Sequence, residues 1–191
     1  MKILKKILLG LACLLALILL IALFMKKEYS VERSISIAKP KAMVFDYVKS
    51  LQKQDEWSPW GKLDPNMKKE FVGTDGTVGF ISKWSGNDKV GVGEQEIKKI
   101  TDGERIDFEL RFKEPMESTS PAYLVTEAND DKNTTVKWGM SGKMPYPMNA
   151  MMLVMNMEDM IGKDFEKGLA SLKTLMEAMP EPVADTSTVK P

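Results

Sequence analysis

The side chains available for chemistry are carboxylates, lysines and tyrosines, because the chain has no histidine and a single cysteine, Cys13. Cys13 lies inside an apolar N-terminal run, so the rest of the chain offers no thiolate nucleophile, no disulfide and no Cys/His zinc site. The commonest general base and metal ligand, histidine, is missing as well. The composition therefore predicts neither a metal centre nor a cofactor.

Two pairs of acidic residues, Glu94 with Glu96 and Asp107 with Glu109, have the spacing that places both carboxylates on one face of a strand. Paired carboxylates catalyse acid–base reactions when a dry pocket separates their pKa values. Asp107 and Glu109 lie on the face opposite Phe108, which is the polar face of their run. We interpret both pairs as solvated surface charge and assign no catalytic residue.

Charge is unevenly distributed, although 27 Lys and Arg residues balance 27 Asp and Glu residues. Residues 1–27 contain five lysines and no acid, which leaves residues 28–191 with a net charge of −5. Affinity for phosphate comes from clustered Lys and Arg. A mildly acidic domain without such a cluster excludes nucleic acid as the expected partner, and no protein partner can be named from the sequence.

A signal anchor is predicted over residues 1–27. Residues 7–25 form an uncharged run of 19 residues, close to the roughly 20 that a helix needs to cross the hydrocarbon core. The run is longer than the roughly 7–15-residue apolar region of a signal peptide, and no A-x-A-like cleavage site follows it. Two alternatives stay open, namely a cleaved signal peptide and lipoprotein processing at Cys13.

The charges beside the span predict its orientation. Three lysines and the amino terminus precede it, whereas Lys26, Lys27 and Arg33 follow it together with the acidic Glu28. Positive charge favours the cytoplasmic side. We therefore expect a single-pass membrane protein with a cytoplasmic N-terminus and with its domain outside the cytoplasm.

Turn signals and strand-like runs alternate in the rest of the chain. A first strand is predicted over 29–37 and is followed by two short helices, the second of which is capped by Ser50 and runs to about Glu56. Six further strands are predicted over 68–73, 77–85, 90–101, 104–113, 119–127 and 134–143. The Xaa-Gly pairs between several of these runs favour hairpin turns. The pattern predicts an antiparallel sheet of about seven strands.

One face of this sheet is apolar. Alternating apolar positions in two of the runs are Ile106, Phe108, Leu110 and Phe112, and Val136, Trp138 and Met140. An antiparallel sheet of this kind has one wet face and one that must be covered. A C-terminal helix from about Ile161 to Met179 has the i, i+3, i+4 apolar spacing needed to cover it. Residues 180–191 show no periodicity and are predicted to be a disordered tail.

Four stretches of the chain are distinctive: Pro40 with 44–48 (VFDYV), 57–60 (WSPW) with 64–65 (DP), 84–87 (WSGN) with 91–97 (GVGEQEI), and 162–169 (GKDFEKGL). Together with the order of elements, they resemble the helix-grip fold of the START-like superfamily, also called SRPBCC or polyketide cyclase-like. The resemblance covers residues 29–179. It implies an α+β fold in which a curved antiparallel sheet wraps around a long C-terminal helix, within a domain spanning residues 28–179.

Members of the superfamily bind lipids, sterols, polyketides or other apolar molecules in a cavity between sheet and helix, and a minority catalyse reactions there. The resemblance thus implies a membrane-tethered module that binds a hydrophobic small molecule or lipid. The alternatives are a cyclase- or hydratase-type enzyme that uses the same cavity, and an interaction module whose core is filled. Similarity to bacterial membrane-anchored members implies that the domain lies at the periplasmic face of the inner membrane.

The candidate ligand-binding residues are Phe108, Phe112, Trp138, Met140, Met148, Met152, Trp84, Gln95 and Tyr123. The first four are strand residues that lie opposite the charged positions of their own strands, which predicts that they line the cavity. The two later methionines lie where the chain leaves the last strand for the helix. They are predicted to lie at the cavity mouth, because methionine is common at adaptable apolar surfaces. Trp84 adds an aromatic wall, and Gln95 and Tyr123 add polar groups.

Overall fold

The computed structural model describes residues 2–180, an N-terminal helix followed by an α+β unit. The helices and strands, numbered in chain order, are α1 Lys2–Phe24, β1 Glu28–Ile37, α2 Lys41–Val48, α3 Leu51–Trp57, β2 Lys68–Val72, β3 Ile81–Ser85, β4 Val92–Thr101, β5 Arg105–Glu114, β6 Ser118–Ala128, β7 Thr134–Lys143 and α4 Met157–Ala178. Two short 3-10 helices are Trp60–Lys62 and Met148–Leu153. The predicted tail from residue 181 onward lies outside the described residues.

The seven strands form one antiparallel sheet in the order β1-β7-β6-β5-β4-β3-β2. The six later strands follow one another as a meander. The first strand pairs with the last, with Glu28 opposite Lys143 and Ile37 opposite Thr134. The curved sheet and the helix that covers it confirm the predicted α+β helix-grip fold.

The register of the strands defines two ends of the sheet. The proximal end is the one at which the chain enters from α1, and residues there include Glu28, Lys68, Ser85, Val92, Glu114, Ser118 and Lys143. The distal end holds Ile37, Val72, Ile81, Thr101, Arg105, Ala128 and Thr134. The loops after β3 and β5 therefore turn at the proximal end, and the loop between β2 and β3 turns at the distal end.

Helix α4 begins at Met157, four residues before the predicted Ile161, and packs through the predicted apolar stripe. The side chain of Asn156 caps it by accepting a 3.1 Å hydrogen bond from the Asp159 amide, and two acidic residues in its first turn suit the helix dipole. Its buried stripe includes Phe165, Leu169 and Leu172, which are each at most 1% exposed. Burying such a side chain contributes about 1.5–3 kcal/mol, so this stripe holds the helix on the sheet.

Helix α3 is fixed at its start by two side chains. The Ser50 hydroxyl accepts a 3.1 Å hydrogen bond from the Lys53 amide, as an N-cap residue does. The Asp75 carboxylate, from the loop between β2 and β3, accepts a 2.9 Å hydrogen bond from the Leu51 amide. This second cap ties α3 to a distant loop, and the fully buried Trp57 holds the other end of the helix in the core.

Strand β3 is shorter than the predicted run 77–85 and begins at Ile81. Gly76 and Gly79 have φ angles of +73° and +87°, which only glycine adopts without strain. The Phe80 amide donates a 3.2 Å hydrogen bond to the Thr77 carbonyl and closes a turn. This turn places the Phe80 side chain in the core, where it is 1% exposed, so an apolar pattern that looked like a strand is an exposed turn with one buried side chain.

Candidate functional site

A cavity of about 290 Å³ lies between the concave face of the sheet and helices α3 and α4. All seven strands contribute lining residues to it. The helical side of the wall includes Leu51 from α3 and Ile161 and Phe165 from α4. Several lining residues, such as Tyr29 and Trp84, lie at the proximal end of their strands, so the cavity occupies that half of the sheet.

Trp138 is the centre of an aromatic cluster beside the cavity. Its ring stacks on Phe165 with centroids 4.2 Å apart and planes at 10°. Trp57 and Trp60 meet it edge-on, at 4.8 Å and 5.5 Å. Aromatic pairs of this geometry contribute about 0.5–1.5 kcal/mol each beyond their buried area. The cluster fixes the shape of the wall before any ligand arrives.

A second aromatic pair, Trp84 and Phe112, lines the cavity on the side of strands β3 to β5. Trp84 and Phe112 meet edge-on at 5.9 Å, although β4 lies between their strands. Gly93 of β4 is opposite both residues in the strand register. A Cβ atom at this glycine would lie 2.5 Å from the Trp84 ring, so only glycine lets the indole lie across the strand.

Polar side chains are a minority of the residues that line the cavity. Asp55 of α3 and Lys69 of β2 form an ion pair in its wall, and Ser82 lies opposite Gln95 in the strand register. Burial raises the pKa of the Tyr29 phenol above its ordinary value of 10.0, so this hydroxyl is a neutral group at physiological pH. Ligand sites of this type are mostly apolar, with a small number of polar groups that orient the ligand.

Five of the nine candidate residues line the cavity. They are Trp84, Gln95, Phe112, Trp138 and Met140. In β5 and β7 the lining positions are the ones that alternation with charged neighbours identified. Gln95 lies on the same face because it alternates with Glu94 and Glu96, whose carboxylates are on the convex face.

The other four candidates lie elsewhere. Phe108 is on the concave face but is 2% exposed and packs in the core, four residues from Phe112 towards the distal end. Tyr123 is on the convex face, because Ala122 and Leu124 are the buried members of its strand. Met148 and Met152 are half-buried in the second 3-10 helix and do not touch the cavity.

The Tyr123 hydroxyl donates a hydrogen bond to the Glu32 carboxylate. Burial, together with this carboxylate, raises the pKa of Tyr123 to about 12. The Arg105 guanidinium lies over the same ring, 4.2 Å from its centre. This tyrosine therefore belongs to a network on the convex face, and it lies on the side of the sheet opposite the cavity.

Sequence reasoning missed the polar part of the wall. Gln54, Asp55 and Lys69 line the cavity, but they lie in a short helix and in a mostly exposed edge strand, where no apolar period marks an inward face. The only signal that Asp55 and Lys69 share is opposite charge across 14 residues, which is too ordinary to predict a contact. Among residues 2–180, no group of three or more Asp, Glu or Cys side chains is placed to hold a metal ion.

The convex face carries a charge network centred on Arg111. Its guanidinium donates to Glu94 at 2.6 Å and to Glu96 at 2.7 Å, and it also contacts Glu109. Hydrogen bonds from Arg111 hold the pKa of both Glu94 and Glu96 below the ordinary value of 4.5. Glu94 and Glu96, whose spacing resembles an acid–base pair, are thus ionised and paired with Arg111. They lie on the outer face of the sheet, away from the cavity.

We expect Arg111→Ala to lower the free energy of unfolding by about 1–2 kcal/mol at pH 7, since three carboxylates lose their shared cation. Lowered pKa values in the folded state stabilise it above pH 4.5, and this stabilisation is lost as the pH falls through the folded-state pKa values. The difference from wild type should therefore shrink in urea titrations below pH 4.5. Lys98→Ala, an exposed partner of Glu96, is the control and should change stability by less than about 0.5 kcal/mol. A difference that is equal at both pH values would contradict this account of the network.

The chain belongs to the family described as polyketide cyclase/dehydrase and lipid transport, whose family model matches residues 28–177. This match confirms the START-like resemblance. A search of curated proteins finds none that matches this chain.

Solved structures share the fold. A truncated norcoclaurine synthase from Thalictrum flavum aligns with a TM-score of 0.62 at 9% identity, covering 80% of this chain and 96% of that one. A protein from Chromobacterium violaceum aligns with a TM-score of 0.56 at 12% identity, covering 78% and 98%. A protein from Thermobifida fusca aligns with a TM-score of 0.58 at 21% identity, covering 77% and 92%. At such low identity the likeness is one of fold alone.

Proposed function

We propose that this protein is a membrane-tethered module that binds a hydrophobic small molecule or lipid in the cavity between the sheet and α4. The single observation that carries the proposal is the apolar cavity itself. Its volume of about 290 Å³ is just below the roughly 300–1,000 Å³ typical of ligand pockets. A site of this size suits one small apolar molecule or part of a lipid chain. An open cavity also favours binding over the alternative of a core filled by side chains.

The experiment is a binding titration with fluorescent fatty-acid and sterol probes, on the fragment that begins at Glu28. We expect saturable uptake of at least one probe class, because an apolar ligand gains free energy by leaving water for the cavity. Binding is measured by probe fluorescence. A broad lipid panel from which no probe is taken up would contradict the proposal.

A second candidate is an enzyme that acts on a ligand in the same cavity. The observation that favours it is the Asp55–Lys69 ion pair in the cavity wall, because the two groups offer an acid–base couple next to a bound molecule. A norcoclaurine synthase of the same fold has been solved in complex with dopamine and hydroxybenzaldehyde. Conversion of a bound ligand that is lost in Asp55→Asn, with binding retained, would favour catalysis over simple binding.

Membrane attachment is proposed for α1, which is the one helix of residues 2–180 that is long and apolar enough to cross a bilayer. We propose that residues 1–27 are an uncleaved anchor, that residues 28–179 form the binding domain, and that the domain lies outside the cytoplasm. Lys2, Lys5 and Lys6 before the span support this orientation.

We expect the full chain to stay in the membrane fraction after an alkaline carbonate wash. Such a wash releases proteins held by electrostatic contacts, whereas a spanning apolar helix is extracted only by detergent. Its N-terminal peptide should still be present by mass spectrometry. A mature N-terminus near Lys26 would contradict retention of the anchor. Protection of the domain from protease added to intact spheroplasts would contradict the outward orientation alone.

A further inference from the structure

The C-terminal end of α1 is held by the domain. Ala22 is the one buried residue of that helix. Its carbonyl accepts a 2.6 Å hydrogen bond from the side-chain amide of Asn149, which is fully buried in the second 3-10 helix. The Met144 amide donates a further 2.7 Å hydrogen bond to the Lys27 carbonyl. Carbonyls in the last turn of a helix lack the usual partner four residues on. The Ala22 carbonyl accepts only a long 3.4 Å hydrogen bond from the Met25 amide locally, and a separate segment of the domain supplies the shorter one.

This contact fixes the depth of the 3-10 helix relative to a membrane. A helix of 23 residues is about 34 Å long at roughly 1.5 Å per residue, and the hydrocarbon core is about 30 Å thick. The last turn of α1 therefore reaches the boundary between hydrocarbon and head groups. Ala22 lies in this turn, so Asn149 and the segment around it must lie at the same level.

The surface around this contact is apolar and exposed. The interfacial patch, as we name it, consists of Phe24, Met151, Leu153, Val154 and Met160, all of which are exposed. Phe24 and Val154 are the most open, at 86% and 87%. The chain from 144 to 157 contains no charged residue. Exposed apolar surface of this kind, beside a polar rim, marks a site of interaction.

We propose that the interfacial patch inserts into the boundary of the same bilayer that α1 spans, so that the domain lies against the membrane instead of hanging from a loose tether. This inference rests on the proposed anchoring of α1. The occupant is a lipid surface because the patch is continuous with the end of the span. A soluble protein partner would have to reach side chains held at head-group level.

Charge supports insertion over adsorption. Residues 28–191 carry a net charge of −5, which disfavours general attraction to anionic lipids. Lys26 and Lys27 follow Phe24 closely in the chain, at a level where cations interact well with lipid phosphates, whereas Glu158 and Asp159 precede Met160 on the side of α4. Apolar side chains at the level of the boundary, flanked by lysines, are the arrangement of an interfacial segment.

The position of the cavity gives the inference a functional consequence. Tyr29, Trp84 and Phe112 line the cavity near the proximal end of the sheet, where α1 enters. Ile161, in the same cavity wall, follows one residue after Met160 of the patch. The domain thus turns its ligand-binding half towards the bilayer. An apolar ligand that moves between the bilayer and the cavity would then cross only a short distance of water.

The test uses the full chain in phosphatidylcholine liposomes, in a Cys13→Ala background, with an environment-sensitive fluorophore on a single new cysteine. The two matched positions are Val154 in the patch and Val78 in the distal loop, exposed by 87% and 59%. We expect doxyl-labelled lipids to quench the label in Val154→Cys several-fold more than the label in Val78→Cys. Equal quenching at the two positions would overturn the proposal.

Other outcomes are equally decisive. Failure of the chain to float with liposomes overturns the proposal, because α1 would then not be an anchor. Self-quenching between labelled Val154→Cys chains without lipid quenching indicates a second copy as the occupant and also overturns it. Probe uptake by the Glu28 fragment distinguishes the two hypotheses. Probe uptake without lipid quenching would support ligand binding and contradict insertion of the patch. Lipid quenching without probe uptake would support insertion and contradict ligand binding.

Discussion

Phe165→Ala is expected to lower the free energy of unfolding by about 3–5 kcal/mol, the range for removing a large buried aromatic side chain. Phe165 is 1% exposed, and its ring stacks on Trp138 at 4.2 Å. It also meets Trp60 edge-on at 5.9 Å. Truncation removes all of these contacts at the place where α4 covers the sheet, and the surrounding rings are too rigid to collapse into the space.

The matched control is Lys167→Ala, two residues along the same helix. The Lys167 side chain is 69% exposed and pairs with Asp164 at 3.1 Å. Exposed pairs of this kind contribute little, so the control should stay within about 0.5 kcal/mol of wild type. Urea titration of both variants by circular dichroism decides the question. Equal midpoints would mean that α4 does not pack on the sheet through this face.

Met140→Trp is expected to abolish uptake of the fluorescent probes while the domain stays folded. Met140 lines the cavity and is 7% exposed. It lies on β7 between Ala122 of β6 and Val31 of β1. Because its side chain lines the cavity, a larger ring at this position is expected to project into that space. Because binding would depend on apolar area buried by the ligand, a side chain that fills the space replaces the ligand.

Overpacking costs about 1–3 kcal/mol in a filled core, so an unchanged circular dichroism spectrum is part of the expected result. Val78→Trp, in the exposed distal loop, is the control and should bind as wild type does. Retained uptake in Met140→Trp would place the binding site elsewhere on the domain. Unfolding of Met140→Trp would show that the space at this position is smaller than 290 Å³ implies.

Much of the fold could be predicted from the sequence because its period is strong. Strand β7, over Thr134–Lys143, has the predicted bounds, since polar residues alternate there with Val136, Trp138 and Met140. Helix α4 follows the predicted apolar stripe for the same reason. Prediction was weakest at the run 77–85, where two glycines with positive φ angles form a turn and a buried phenylalanine resembles a strand residue.

The site was predictable in part for a physical reason. Alternation identifies the face of a strand but carries no information on position along it. Phe108 and Phe112 share a face, yet the cavity contains one and the core contains the other. Tyr123 was expected to place a polar group inside, and it lies on the convex face because the buried positions of β6 are its neighbours. The Asp55–Lys69 pair depends on how α3 docks against β2, and no local pattern determines that contact.

The central claim is that the cavity holds an apolar molecule, and native mass spectrometry of the full chain extracted in detergent tests it most directly. The expected spectrum contains wild-type chain with a bound apolar small molecule, which collisional activation releases for identification. The same preparation of Met140→Trp should give the bare chain. Bare chain in both spectra, combined with no probe uptake by the wild-type domain, would contradict the claim.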